Sequence, residues 1–128
     1  MDFILHPQFV VVDDDGDVMT VGFAEKEFGP QRYVTLQSAR GHDQQDILLG
    51  MNKLHVEVND QLFSGYGGVA SIKMRGNEVR ISLTPKGHKV LKIEGEIIVT
   101  IDTGAPLSDV REALRRMAEG EFAFEAMD

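Results

Sequence analysis

Two polar side chains near the middle of the chain have the types and spacing for acid–base chemistry. His55 and Glu57 alternate with apolar residues, so an extended strand would place both on one face. A histidine beside a carboxylate can move protons in a reaction. Such a pair is more often part of an exposed polar strand face, and Ser64 lacks the Gly-x-Ser-x-Gly setting of a hydrolase. We therefore expect no catalytic residue, and a small enzyme or ligand-binding module built on His55 and Glu57 is the alternative.

An acidic turn near the N-terminus has part of the spacing of a calcium loop. It contains four aspartates: Asp13, Asp14, Asp15 and Asp17. An EF-hand loop needs a glycine directly after its third ligand and a glutamate at its twelfth position. Here Val18 and Ala24 occupy those positions, and none of the four histidines has metal-ligand spacing. The sequence thus predicts a solvated turn and no metal site, with the aspartates as a candidate surface for contact with a partner.

Three glycines surround Tyr66 in a pattern that loosely matches a dinucleotide-binding loop. Gly65, Gly67 and Ala70 have the fingerprint spacing, but that motif must open a helix so that phosphate meets free N–H groups. An alternating, strand-like segment follows instead, so we expect no cofactor. Gly65, Gly67 and Gly68 are interpreted as turn residues that allow positive φ or close backbone approach. Tyr66 either packs into the core or is displayed to a partner.

Composition limits the classes of function. The chain has 128 residues, 42% of them hydrophobic and none of them cysteine, which predicts one domain over residues 1–128 without disulfides. A net charge of −8 disfavours nucleic acid as a partner and suits a basic protein. No apolar run approaches the roughly 18 residues of a membrane span, and no secretory signal is evident. We expect a cytoplasmic protein that does not bind a membrane.

Hydrophobic alternation predicts strands along most of the chain. The loop at residues 25–31 and the irregular segment at 38–53, with a possible helical turn at 46–51, interrupt them. Thr84 and Pro85 could cap a short helix, and Leu107–Ala118 has the apolar stripe of an amphipathic helix. The predicted strands cover residues 9–12, 18–24, 32–37, 54–61, 69–74, 78–84 and 94–102, with residues 62–68 joining a central hairpin.

This order predicts an α+β fold. We expect one largely antiparallel, meander-like sheet of about six to seven strands, with the C-terminal amphipathic helix packed on one face. Residues 119–128 form an acidic tail that carries Phe122 and Phe124. The tail either docks on the body, frays, or grips a basic partner.

Several short motifs, in their order and spacing, resemble the Immunity protein 10 family of bacterial polymorphic toxin systems. The central ones are Glu57 within a strand, Asp60-Gln61, and Gly65-Tyr66-Gly67-Gly68. Upstream, the same order holds for Gly22-Phe23, residues 33–37, Gln45-Asp46 and Gly50, so that the resemblance covers about residues 3–118. It implies a small, non-enzymatic, cytoplasmic α+β antidote that neutralises a toxin encoded beside it by tight binding.

The resemblance implies a cognate toxin as the partner, and the acidic charge suits a basic one. Because the family motifs could serve folding, the contact residues are chosen from the polar positions of the central region: Glu57, Asn59, Gln61 and Tyr66. The four aspartates are the second choice. We expect a monomer or a weak homodimer, and a homodimeric structural domain joined through a sheet edge or the tail remains a further alternative.

Overall fold

The computed structural model describes residues 1–26, 32–39, 53–102 and 105–127. Within these ranges the chain forms ten strands and two helices, neither of them long and apolar enough to cross a membrane. In chain order they are β1 (Phe3–Leu5), β2 (Phe9–Asp14), β3 (Val18–Ala24), β4 (Tyr33–Ala39), β5 (His55–Val58), β6 (Asp60–Tyr66), β7 (Val69–Arg75), β8 (Glu78–Leu83), α1 (Pro85–Leu91), β9 (Ile97–Thr100), α2 (Leu107–Ala118) and β10 (Ala123–Met127).

The strands form two five-stranded sheets. The meander sheet has the order β2-β3-β4-β5-β6, and each neighbouring pair is antiparallel. The mixed sheet has the order β1-β9-β8-β7-β10, in which β1 and β10 run parallel to their neighbours. The α+β class and the predominance of antiparallel pairing are confirmed, but the expectation of one sheet of six to seven strands is wrong. The strands form two sheets of five instead, and buried residues of both sheets share one core.

The predicted central hairpin is also wrong. Asn59, at φ 62°, reverses the chain, and β6 then covers most of residues 62–68, where the sequence predicts a connection. β5 therefore pairs with β6, whereas β7 pairs with β8 in the other sheet. Alternation correctly located β5 and β7 but carried no information about which strands pair.

The core lies between the two sheets and α2. Alternate residues of β3 and β4 face inward, among them the fully buried Val21, Val34 and Leu36. The predicted helix Leu107–Ala118 is confirmed as α2, and its buried stripe of Val110, Leu114 and Met117 joins this core. It contacts β2 and β3 of one sheet and β7 and β10 of the other, so it packs against both sheets.

The short helix α1 begins as its residues predict. The Thr84 hydroxyl accepts a hydrogen bond from Gly87 N at 3.1 Å, and Pro85 occupies the first turn, where its missing N–H is harmless. α1 packs against the edge strand β6, where Val90 lies against Gly65. The predicted helical turn at residues 46–51 lies outside the described residues, as does most of the loop at 25–31.

The acidic tail is part of the fold. After α2 the chain turns at Gly120, and β10 adds to the mixed sheet beside β7. Phe122 and Phe124 are partly buried and pack against the core. The tail therefore docks on the body of the protein.

Candidate partner-binding surface

The outer face of the meander sheet points away from the core and carries three continuous cross-strand rows. The registers of β2 to β6 fix each row, because residues directly opposite one another share a face. The outer face, as used below, consists of the row Phe9, Ala24 and Tyr33, the row Val11, Gly22, Thr35, Glu57 and Ser64, and the row Asp13, Thr20, Gln37, His55 and Tyr66.

Charge is distributed unequally between the two sheets. The five strands of the meander sheet contain no lysine or arginine, and their acidic residues are Asp13, Asp14, Glu57 and Asp60. The strands of the mixed sheet contain both signs, and Arg80 forms ion pairs with Glu78 at 2.7 Å and Glu96 at 3.2 Å. Among the described strands, net negative charge is therefore found in the meander sheet and not in the mixed sheet.

Tyr33 of β4 holds Glu57 of the neighbouring strand β5 in place. The Tyr33 hydroxyl donates a hydrogen bond to Glu57 Oε2. Burial, together with this hydrogen bond and the negative charges of Glu57 and Asp60, raises the pKa of Tyr33 to about 12. Tyr33 thus stays protonated and keeps donating, so the Glu57 carboxylate is presented in a fixed position. Sequence reasoning missed this role of Tyr33, since the pairing depends on register between strands far apart in the chain.

His55 and Tyr66 lie opposite each other in the third row. Their ring centroids are 4.8 Å apart with an interplanar angle of 57°, and both residues are half-buried. Tyr66 therefore combines packing with display on the outer face. His55 and Glu57 are engaged with different aromatic residues, and neither lines any of four depressions on the described surface. This arrangement gives the acid–base alternative no support.

Asn59 and Gln61 lie at the turn between β5 and β6. Asn59 Oδ1 accepts a hydrogen bond from Tyr33 N at 2.8 Å, and Asn59 N donates to Tyr33 O at 3.1 Å. Asn59 therefore holds the turn against β4. The Gln61 side chain is exposed, while its carbonyl accepts a hydrogen bond from the Ser64 hydroxyl at 2.7 Å.

A protruding apolar bulge follows this turn. Val58 is opposite Asp60 and Glu57 is opposite Ser64, which leaves residues 61–63 as extra residues of β6. Leu62 is 82% exposed and Phe63 is 36% exposed. Sequence reasoning assigned these residues to a loop and missed them. The available signal was two consecutive large apolar residues in a segment without alternation.

The four aspartates have different roles. Asp15 Oδ1 accepts hydrogen bonds from Asp17 N at 2.9 Å and Val18 N at 2.8 Å, and Asp14 Oδ1 accepts one from Gly16 N at 3.0 Å. Asp14 and Asp15 therefore shape the turn, whereas Asp13 belongs to the outer face. Within the described ranges, no group of three or more potential ligands could hold a metal ion.

A shallow groove of about 340 Å³ runs along β3 on the outer face. Its floor is formed by the small residues Gly22 and Ala24. Larger residues of the neighbouring strands β2 and β4 form its walls: Phe9, Val11, Tyr33 and Thr35. The groove therefore places exposed apolar surface next to two acidic residues of the outer face, Asp13 opposite Thr20 and Glu57 opposite Thr35.

The model of one protein family, described as Immunity protein 10, matches residues 7–110. The chain belongs to the Immunity protein 10 family. The matched range contains the whole meander sheet and ends in the first turn of α2, so the family pattern includes the entire outer face. No curated protein and no solved structure matches the chain.

Proposed function

We propose that this protein binds a cognate protein toxin and neutralises it, as an antidote that carries out no reaction of its own. The observation that carries the proposal is the family match, which spans the β2–β9 region and thus both sheets. We expect the encounter to occur in the cytoplasm. The toxin would be disabled by steric occlusion of its active site or by restraint of its conformation.

The outer face of the meander sheet, extended by the bulge, is the contact surface that we propose. It combines two half-buried tyrosines, Tyr33 and Tyr66, with exposed Phe9 and Val11. Tyrosine is enriched among the residues that dominate binding energy, because it buries a large rigid ring and keeps a polar tip. Glu57 is fixed among them by its hydrogen bond from Tyr33.

The charge of this surface supports a basic toxin as the partner. Acidic strands without lysine or arginine would attract a positive patch and raise the association rate over that of a neutral pair. Fast association suits an antidote, since the toxin must be captured before it acts. Exposed charges are screened by salt, so this contribution should weaken as ionic strength rises.

The proposal is tested by purifying this protein with the product of the neighbouring toxin gene and measuring binding at low and high salt. We expect a stable complex, weaker at high salt, in which the activity of the toxin is abolished. A partner that never co-purifies, or that stays fully active when saturated, would contradict the proposal.

A further inference from the structure

Gly22 is placed where a strand gains nothing from glycine. It lies in the middle of β3, between Val11 and Thr35, and the register continues through it without a bulge. Glycine weakens a strand interior, because it loses more conformational freedom on folding and has no side chain to pack. Apart from bulges and bends, such a glycine often marks a site where a ligand or another backbone approaches closely.

Neither backbone conformation nor packing requires glycine at this position. A Cβ built on Gly22 would lie 3.9 Å from Val11 Cβ and 4.0 Å from Thr35 Oγ1, which are ordinary contact distances, and its φ is not positive. Every other described glycine either has positive φ or would bring its Cβ to 3.1 Å or less from a neighbour. Gly22 is therefore the one described glycine that combines an ordinary φ with space above it that a side chain could occupy.

That space is the middle of the groove along β3. The ring of Tyr33 and the Phe9 side chain line opposite sides of it. Two carboxylates lie next to the groove, each directly opposite a residue that lines it. Asp13 is opposite Thr20, and Glu57 is opposite Thr35. Glu57 Oε2 accepts the Tyr33 hydroxyl, and within the described residues no donor is bonded to Oε1.

These features fit one kind of occupant. A long cationic side chain could lay its apolar stem over Gly22 and bring its charge to Glu57. An arginine fits better than a lysine, because a planar guanidinium also stacks on aromatic rings and forms directed hydrogen bonds with a carboxylate. The acidic charge of the surrounding strands favours the same partner.

We infer that the groove over Gly22 binds an arginine side chain of the toxin, whose stem lies between Phe9 and Tyr33 and whose guanidinium lies beside Tyr33 with Glu57 as its carboxylate partner. This inference rests on the proposed function. It assigns to Gly22 the role of leaving room, and to Tyr33 that of positioning Glu57.

The test fills the groove without disturbing the fold. Gly22→Val and Ala24→Leu place side chains on its floor, and Glu57→Gln removes the charge at its side. The affinity of each variant is measured for the protein product of the neighbouring toxin gene, which carries an inactivating substitution so that it can be expressed. We expect each variant to weaken binding by roughly ten-fold or more, as for residues near the centre of an interface. Ser71→Val, a similar change on the outer face of the mixed sheet, is the matched control and should bind as the wild type does.

The arginine is identified by combining Glu57→Gln with Arg→Ala substitutions at each surface arginine of the toxin. For the arginine that binds in the groove, Arg→Ala should cause little further loss of affinity in the Glu57→Gln background, because the carboxylate that pairs with this arginine is already absent. Unchanged affinity of folded Gly22→Val and Ala24→Leu would overturn the groove as a contact, although the antidote function would stand. Loss of affinity without any coupled arginine would overturn the occupant. Failure of the wild-type protein to bind would reject the proposed function itself.

Discussion

The hydrogen bond from Tyr33 to Glu57 shows how a single contact converts a surface carboxylate into a fixed one. Neither residue is adjacent to the other in sequence, and the register of β4 with β5 brings them together. Burial is the largest cause of the raised pKa of Tyr33, and the hydrogen bond to Glu57 is the next. The two causes can be separated because Glu57 can be neutralised without altering the shape of its side chain.

We predict that Tyr33 titrates at about pH 12 in a Tyr66→Phe variant, which leaves it as the one tyrosine of the chain. Adding Glu57→Gln should lower this pKa toward the ordinary 10.0 without reaching it, since burial remains. Ultraviolet absorbance of tyrosinate measures the titration, and circular dichroism establishes that the fold persists. An unchanged pKa after Glu57→Gln would contradict the contact.

The same shift makes stability depend on pH in a definite direction. The pKa of Tyr33 is higher in the folded than in the unfolded chain, so its contribution is complete below pH 10.0 and is lost as pH rises toward 12. Tyr33→Phe should therefore lose less free energy of unfolding over this interval than the wild type does. Denaturant titrations at several alkaline pH values measure the difference, and equal slopes would argue against it.

Gly87, unlike Gly22, lies where packing leaves no room for a Cβ. A Cβ on Gly87 would overlap the carbonyl of Gly68, whose own Cα lies 3.0 Å from that Cβ position. Gly→Ala in an ordinary helix interior stabilises by about 1 kcal/mol. Here we predict that Gly87→Ala destabilises by about 1–3 kcal/mol, because α1 must move away from the start of β7.

Urea denaturation of Gly87→Ala and Gly22→Ala provides the comparison. Gly22→Ala should leave the free energy of unfolding unchanged or slightly increase it, since its Cβ meets ordinary contacts. Equal stability of the two variants would mean that the close approach of Gly68 and Gly87 does not constrain the fold.

At the scale of elements, β10 converts an apparent tail into an edge strand. The segment leading to it is tied down by Glu121, whose two carboxylate oxygens accept hydrogen bonds from Leu54 N at 2.9 and 3.1 Å. The strand ends with Gly76 N donating to Met127 O at 2.9 Å. The Glu121 contact therefore joins the segment before β10 to Leu54, the residue that precedes β5 of the meander sheet.

We predict different effects for two substitutions of Glu121. Glu121→Ala leaves the N–H of the buried Leu54 without its acceptor and should cost about 1–3 kcal/mol. Glu121→Gln keeps an acceptor and should retain stability near neutral pH. Burial raises the pKa of Glu121, partly offset by the hydrogen bond from Leu54 and the charge of Lys53. Ionisation of this carboxyl is therefore less favourable in the fold than in the unfolded chain.

The pH dependence of Glu121 has a definite sign. Its contribution to stability is complete below the ordinary pKa of 4.5 and decreases as pH rises through the higher folded pKa. Glu121→Gln should remove this decrease. Thermal unfolding of both variants from acidic to neutral pH tests the prediction, and a Glu121→Gln variant as unstable as Glu121→Ala at neutral pH would contradict it.

At the scale of the whole molecule, the two sheets present different electrostatic surfaces. We predict that Asp13→Lys on the outer face slows association with the toxin several-fold at low salt, because it reverses part of the steering field. Glu125→Lys makes the same change of charge on β10 of the mixed sheet, and should have a smaller effect. Stopped-flow association at low and high salt measures both rates. Equal slowing by the two variants would show that net charge acts without regard to face.

The sequence by itself determined the local elements of this protein. Alternation located most strands, the apolar stripe located α2, and the threonine before Pro85 located the start of α1. These features are set by the period of one segment or by contacts within a few residues. The order of short motifs was also sufficient to indicate the family that the match over residues 7–110 establishes.

Only the tertiary structure decided how the elements combine. Asn59 turns the chain early, so β5 pairs with β6 and β7 passes to the other sheet. Strand pairing depends on contacts between distant segments, and each segment alone is compatible with several partners. The hydrogen bond from Tyr33 to Glu57 and the groove over Gly22 follow from that pairing. They were absent from sequence reasoning because their residues become neighbours only when β2, β3, β4 and β5 lie in register.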